Sequence, residues 1–236
     1  MTNLVCLMPS SLIRNGEGAD MNQSVNSLSS DTNIGDKIAM ALACQVKVLS
    51  SQQIAAIWGS DACEESLDGT LSQLVESGLV TKSEWNVVPP PIDQCPAFTW
   101  RPTDDAPDGW RLSKQFRLRW KQPTQPIEVF QATAKSGRLF GSRCGSMIRT
   151  IEQQHDLLLS QVFVLYHERL PQLVPFWVGE HAMPVAERGV KNPDAFLIDN
   201  RGEPRRVIES AGAYSQMQVE SFHRHCQQAG LPYELW

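Results

Sequence analysis

The stretch NPDAFLIDNRGEPRRVIESAGAYS, Asn192 to Ser215, decides how the second half of the chain is read. Its first apolar run, Asp194 to Asp199, reads as a short buried strand, and NRGE supplies the turn that ends it. Arg205 to Ser210 then reads as the antiparallel partner. Working upstream, Asp156 to Leu170 is a mostly buried helix, because Leu157, Leu158, Leu159, Val162, Phe163, Leu165 and Tyr166 leave little polar surface. Leu173 to Val178 reads as a strand between that helix and Asp194. Downstream come a helix from Tyr214 to Ala229 and a last strand, LPYELW.

The resulting order, α-β-β-β-α-β, resembles the common core of the PD-(D/E)XK nucleases, a restriction-endonuclease-like α/β core. That resemblance implies a site at one end of the sheet. Metal-dependent phosphodiester cleavage needs carboxylates that converge on Mg²⁺ and usually a lysine to orient water or balance charge. An aspartate heads the second strand; the third supplies glutamate and, two residues on, a lysine on the same face. Asp194 and Glu209 take the two acidic places, but Ala211 stands where the lysine belongs. Lys191 is the candidate to reach in from another strand end. Asp156, or His155 beside it, joins from the start of the first helix. The expected catalytic set is therefore Asp194, Glu209 and Lys191, and the expected metal set is Asp194, Glu209 and Asp156. No cofactor is required unless the core is active, in which case Mg²⁺ is. His223, His225 and Cys226 do not share one helical face and read as structural.

Before this core, residues 35–112 have helical and then strand periodicity. Ile38, Met40, Ala41, Leu42 and Val46 give a first helix; Ser50 or Ser51 caps a second with Ile54, Ile57 and Trp58. A third carries Leu67, Leu71, Leu74 and Val75 and stops at Gly78. Gly78 to Trp85 then reads as a strand paired with Phe98 to Pro102, with Thr103 to Gly109 closing a wing. This is the winged helix-turn-helix plan. Ser66, Thr70 and Gln73 on the third helix can read base edges, yet Asp61, Glu64, Glu65, Asp68 and Glu76 on the same helix repel phosphate. Residues 1–34, rich in Ser, Asn, Gly and Asp, read as a disordered tail.

On a chain of net charge −5, residues 111–149 stand apart. Arg111, Lys114, Arg117, Arg119, Lys121, Lys135, Arg138, Arg143 and Arg149 face a single acid, Glu128, which makes this stretch +8 and the rest −13. A local anion-binding face on an acidic protein follows, with duplex DNA as its partner. Residues 113–149 are accordingly read as a basic linker with strands, and 150–236 as the nuclease-like domain. No apolar run approaches the ~18 residues of a membrane span, so no membrane partner is expected. The N-terminus lacks the basic start of an export signal, and six scattered cysteines without metal-ligand spacing fit a reduced, cytoplasmic protein.

The winged start, the His155-Asp156 helix, NPDAFLID, VIESAGAYS and the closing FHRHC…LPYELW together resemble the replication-relaxation family of plasmid and mobile-element proteins, over roughly residues 35–236. By position, Asp194 matches that family's PDA aspartate, Glu209 the strand-end glutamate and Tyr214 the aromatic opening the next helix. Ser210 and Ala211 replace its second acidic residue. The resemblance implies a DNA-binding accessory or regulatory protein of a mobile element, with a catalytically degenerate nuclease-like domain. Two other readings remain open: a Mg²⁺-dependent DNA nuclease with a displaced lysine, and a protein-interaction or dimerisation module. The last would bind another protein of the same element or a second copy of the chain.

Overall fold

The computed structural model describes residues 33–60, 64–90, 95–119, 121–184 and 192–236. It is a mixed α+β structure with two sheets. Nearly all of the expected tail, and Lys191, lie outside the described residues. Helix α1 (Ile34–Cys44) starts where the Asn33 side chain accepts the Asp36 N–H, and it buries Ile38, Ala39 and Leu42. Strand β1 (Leu49–Ser50) leads into α2 (Ser51–Trp58), whose start is closed by a reciprocal capping box between Ser50 and Gln53. Helix α3 (Glu64–Glu76) buries Leu67, Leu71 and Leu74. It is followed by Gly78 at φ +67°, a left-handed turn that suits glycine.

The three helices follow the periodicity, but the expected hairpin is corrected. Strand β2 (Val80–Val87) pairs along its whole length with β4 (Gln125–Ala132), and β1 flanks the other edge of β4. The sheet order is β1-β4-β2, with both pairings antiparallel. The run at Phe98 forms β3 (Phe98–Trp100) in the other sheet, antiparallel to β8 (Tyr233–Leu235) at the far end of the chain. Prolines 89, 90, 91 and 96 have no N–H to continue a ladder from β2. Trp100, meanwhile, becomes fully buried by stacking on Tyr233, 5.6 Å between ring centres. The predicted wing also gives way. Asp108 caps a helix, α4 (Gly109–Leu118), that buries Leu112 and Phe116 in the same apolar cluster as Val219 and Phe222. The boundary expected at residue 112 thus falls inside a helix.

After α5 (Ala134–Phe140), the long helix α6 (Thr150–Arg169) begins six residues before the expected Asp156. The strand expected from Leu173 is a 3-10 turn over Pro171–Phe176, imposed by Pro171 and Pro175, and only then β5 (Trp177–Gly179). A second 3-10 turn (Glu180–Ala182) follows. Strands β6 (Ala195–Ile198) and β7 (Pro204–Glu209), helix α7 (Gln216–Ala229) and β8 lie where the sequence predicts them. This sheet runs β3-β8-β7-β6-β5 and is antiparallel except between β7 and β8. No helix among the described residues is long and apolar enough to cross a membrane.

The two sheets share a core. Ile38, Leu42 and Ile54 belong to one buried cluster with Phe163, Trp177, Ile208 and Trp236. The short segment between α1 and β1 ties them together. Gln45 donates to the Val174 carbonyl (2.9 Å) and accepts, through its own backbone carbonyl, the Trp177 indole N–H (2.9 Å). The Ser160 hydroxyl donates to the Val48 carbonyl, and the Gln53 amide to that of Leu157 (3.2 Å). This approach demands a glycine at 179, where a Cβ would stand 2.4 Å from the Gln45 carbonyl oxygen. Gly179→Ala should therefore destabilise the protein by about 1–3 kcal/mol, the range for forcing volume into a packed interior. Urea unfolding measures this, and an unchanged midpoint would show that the segment yields.

Candidate functional site: a buried carboxylate and histidine network

Strands β6 and β7 pair with Ala195 opposite Ile208, so Asp194 and Glu209 meet at the same end of the hairpin. Both are buried, at 3% and 2% exposure. Each side chain holds backbone across the hairpin: Glu209 Oε2 accepts the Asp194 N–H (3.2 Å), and Asp194 Oδ2 accepts the N–H of Ser210, the residue after Glu209 (2.8 Å). Tyr214, just ahead of α7, donates its hydroxyl to Glu209 Oε1. From α6, the His155 ring bridges two acids, with Nε2 3.0 Å from Asp194 Oδ2 and Nδ1 3.1 Å from Asp156 Oδ1. Lys47, on the segment that joins the sheets, lies 3.9 Å from Asp156 and 2.8 Å from Glu180.

The result is a chain of alternating charge: Glu180, Lys47, Asp156, His155 and Asp194. Its electrostatics follow from that order. Burial opposes a charged His155, but the negative charge of Asp194 and the hydrogen bonds to Asp156 and Asp194 outweigh it, so its pKa stands well above the imidazole norm. Burial opposes a charged Lys47 too, and Asp156 and Glu180 again prevail, raising its pKa. Burial and the charges of Glu209 and Asp194 push the Tyr214 phenol well above its usual range. This tyrosine is a donor and not a source of phenolate. Beside Lys47 lies a cavity of about 240 Å³ lined by Arg143, Glu152, Asp156, Glu180 and His181 among others.

Of the residues expected from sequence, Asp194 and Glu209 come together, and Asp156 joins them through His155. Ala211 is fully buried among Val219, Phe222 and Tyr233, a setting with no room for a lysine head group. Lys47 and Glu180 are not legible as site residues in the sequence. The signal available is a lysine between Val46 and Val48, both buried, where a cation requires a partner. Among the described residues, no three His, Cys, Asp or Glu side chains are grouped so as to hold a metal ion. His223 is buried, with Nδ1 3.0 Å from the Tyr233 hydroxyl oxygen and its ring edge-on to Trp100.

The basic stretch divides between two places. Arg111, Lys114 and Arg117 are exposed on α4, with Lys121 exposed just beyond it. Arg119 is half-buried, its guanidinium 4.9 Å from the Phe116 ring centre. Lys135 and Arg138 are exposed on α5, where Lys135 donates to the Ser77 carbonyl (2.7 Å). Helix α4 packs on α7 and α5 on α1, so the two groups sit on different parts of the fold. Arg143 spends its guanidinium on the carbonyls of Glu180 (3.1 Å) and Met183 (2.7 Å), and Arg149 pairs with Glu152. On α3, Ser66 and Gln73 are exposed, but the Thr70 hydroxyl donates to the Ser66 carbonyl (2.8 Å).

No protein-family model matches this chain, and no curated protein or solved structure matches it either.

The network sets a pH profile. His155, raised on folding, contributes stability that is complete below the unfolded imidazole pKa of 6.5 and is lost as pH rises through its folded value. Burial lowers His167 and His181 to about 4, so their contribution is present above pH 6.5 and lost as pH falls toward 4. Stability measured by urea unfolding should peak near pH 6.5. His155→Gln should flatten the alkaline arm and leave the acid arm; an alkaline arm that survives the substitution would assign it to another group.

Proposed function

We propose that this chain is a DNA-binding accessory or regulatory protein with a winged-helix element and a nuclease-like core that does not cut. The mobile-element setting comes from the resemblance of its motifs to the replication-relaxation family. Three helices with an antiparallel β1-β4-β2 sheet support the winged-helix part, with the wing strand at 125–132. The order of α6, β5, β6, β7, α7 and β8 supports the nuclease-like part.

The observation that carries the inert reading is the closure of the acidic pair. Mg²⁺ takes oxygens in near-octahedral geometry at about 2.0–2.1 Å. Asp194 Oδ2 and both Glu209 oxygens already accept from protein donors, and His155 supplies Asp194 with a counter-charge. The amine that would orient water is absent at Ala211. Removing one such electrostatic interaction costs ~10²–10³ in rate.

A second reading, a metal-dependent nuclease, is favoured by one feature. Lys47 supplies an ammonium beside Asp156 and Glu180, the role that the sequence suggests for Lys191. If Mg²⁺ binds, the Asp194 and Glu209 pair would hold it with water, since Asp156 is set apart by the His155 ring, and the metal would supply a Lewis acid for phosphodiester hydrolysis. Plasmid nicking in Mg²⁺ or Mn²⁺ separates the two. Wild type should nick no faster than Glu209→Gln. Nicking by wild type that is abolished in both Glu209→Gln and Lys47→Met would establish the nuclease.

DNA binding is tested at α4. Duplex affinity should lie in the ~10⁻⁴–10⁻⁶ M range of phosphate-dominated contacts and fall steeply with salt. Replacing Arg111, Lys114 and Arg117 by Glu should abolish it, with the salt slope flattening by roughly 0.9 for each phosphate no longer neutralised. Binding unchanged in that variant would move the contact to Lys135 and Arg138 or to α3. No binding by wild type would favour a protein-interaction or dimerisation module.

A further inference from the structure

Helix α4 presents more than charge. Its inner side buries Leu112, Ser113 and Phe116, while Trp110, Lys114 and Arg117, at i, i+4 and i+7, form one outward stripe. Trp110 is 55% exposed and carries the largest aromatic ring system of any side chain. The Lys114 ammonium lies 3.5 Å from its ring centre. Arg117 is held along the helix by bonds from its guanidinium to the Ser113 carbonyl (3.1 Å) and hydroxyl (3.4 Å). Arg111 and Lys121, both exposed, extend the positive charge. The acids nearby, Asp104, Asp105 and the capping Asp108, precede the helix, and Glu220 of α7 packs by its first turn at Gly109. Positive charge therefore prevails toward the C-terminal end of the stripe.

We infer that this face of α4 binds single-stranded DNA, with Trp110 as the platform for one unpaired base and Lys114, Arg117 and Lys121 along the phosphate path. The inference rests on the DNA-binding reading and deepens it. An exposed indole interleaved with cations matches what a single strand offers and a duplex hides: base faces for stacking and a flexible line of phosphates. A duplex keeps its bases stacked internally and can use only the charges. A protein partner of matching acidity would meet the same cations, but it gives no reason for preferring unpaired bases.

The test is fluorescence anisotropy of the full chain with a labelled oligothymidine and with a labelled duplex of equal length at one salt concentration. The single strand should bind about tenfold more tightly than the duplex. Trp110→Ala should lose about tenfold in affinity for the single strand, as expected for one stacked base, and little for the duplex. Trp110→Phe should recover most of it. Lys114→Gln should weaken both substrates, since it removes charge. Circular dichroism melting of each variant verifies that the fold is kept, and Trp110→Phe stands in if Trp110→Ala unfolds. Equal single-strand affinity in wild type and Trp110→Ala, or equal affinity for single strand and duplex, overturns the inference and leaves the DNA-binding reading intact. Binding to neither DNA overturns both.

Discussion

The four residues from Gln45 to Val48 hold this molecule together, and the constraint they obey is a close backbone approach. The Gln45 carbonyl comes near enough to Gly179 that no side chain fits between them. The same carbonyl accepts the Trp177 indole, and the Gln45 amide reaches Val174. These are buried polar groups, so each unmade bond would leave a desolvated donor or acceptor behind. The docking is therefore close to all-or-none, and it merges the N-terminal helices and the C-terminal sheet into one apolar cluster.

Lys47 rides on that segment. Its position among acids is a by-product of docking that the acids in turn require. Asp156, Glu180 and Asp194 lie near one another, and like charges in a poorly solvated site repel strongly. Lys47 and His155 alternate with them and relieve that repulsion. Packing brings the segment in, and its cation makes the acidic site tolerable. The hydrogen bonds that Asp194 and Glu209 exchange with backbone N–H groups serve a second purpose, fixing the end of the β6–β7 hairpin at the turn into Ser210. Carboxylates engaged in this way are well placed to set shape and poorly placed to exchange ligands.

The division of the basic stretch has a similar origin. Between β2 and β4 in sequence, β3 pairs into the opposite sheet and α4 packs in that sheet's apolar cluster. Charges that follow one another in sequence, Arg117 and Lys135 for example, are carried apart by that arrangement. What remains on α4 is a compact unit in which an exposed tryptophan and its neighbouring cations share one stripe.

Elements whose signal is local were legible in the residues alone. Leucines at spacings of four and three made α3 legible, Gly78 marked its end, and NPDAFLID and RRVIES announced a hairpin that brings Asp194 and Glu209 to one edge. The reason is that periodicity and turn chemistry act within about ten residues. The strand pairings, by contrast, came from long-range packing. β3 finds β8 more than 130 residues away because Trp100 gains a buried ring partner there, and β2 waits for β4 because prolines intervene. That packing also decided that Lys47 neighbours the acids. Nothing in CQVKVLS specifies which carboxylates its one cation will meet, because that depends on how a glycine at 179 lets two backbones touch.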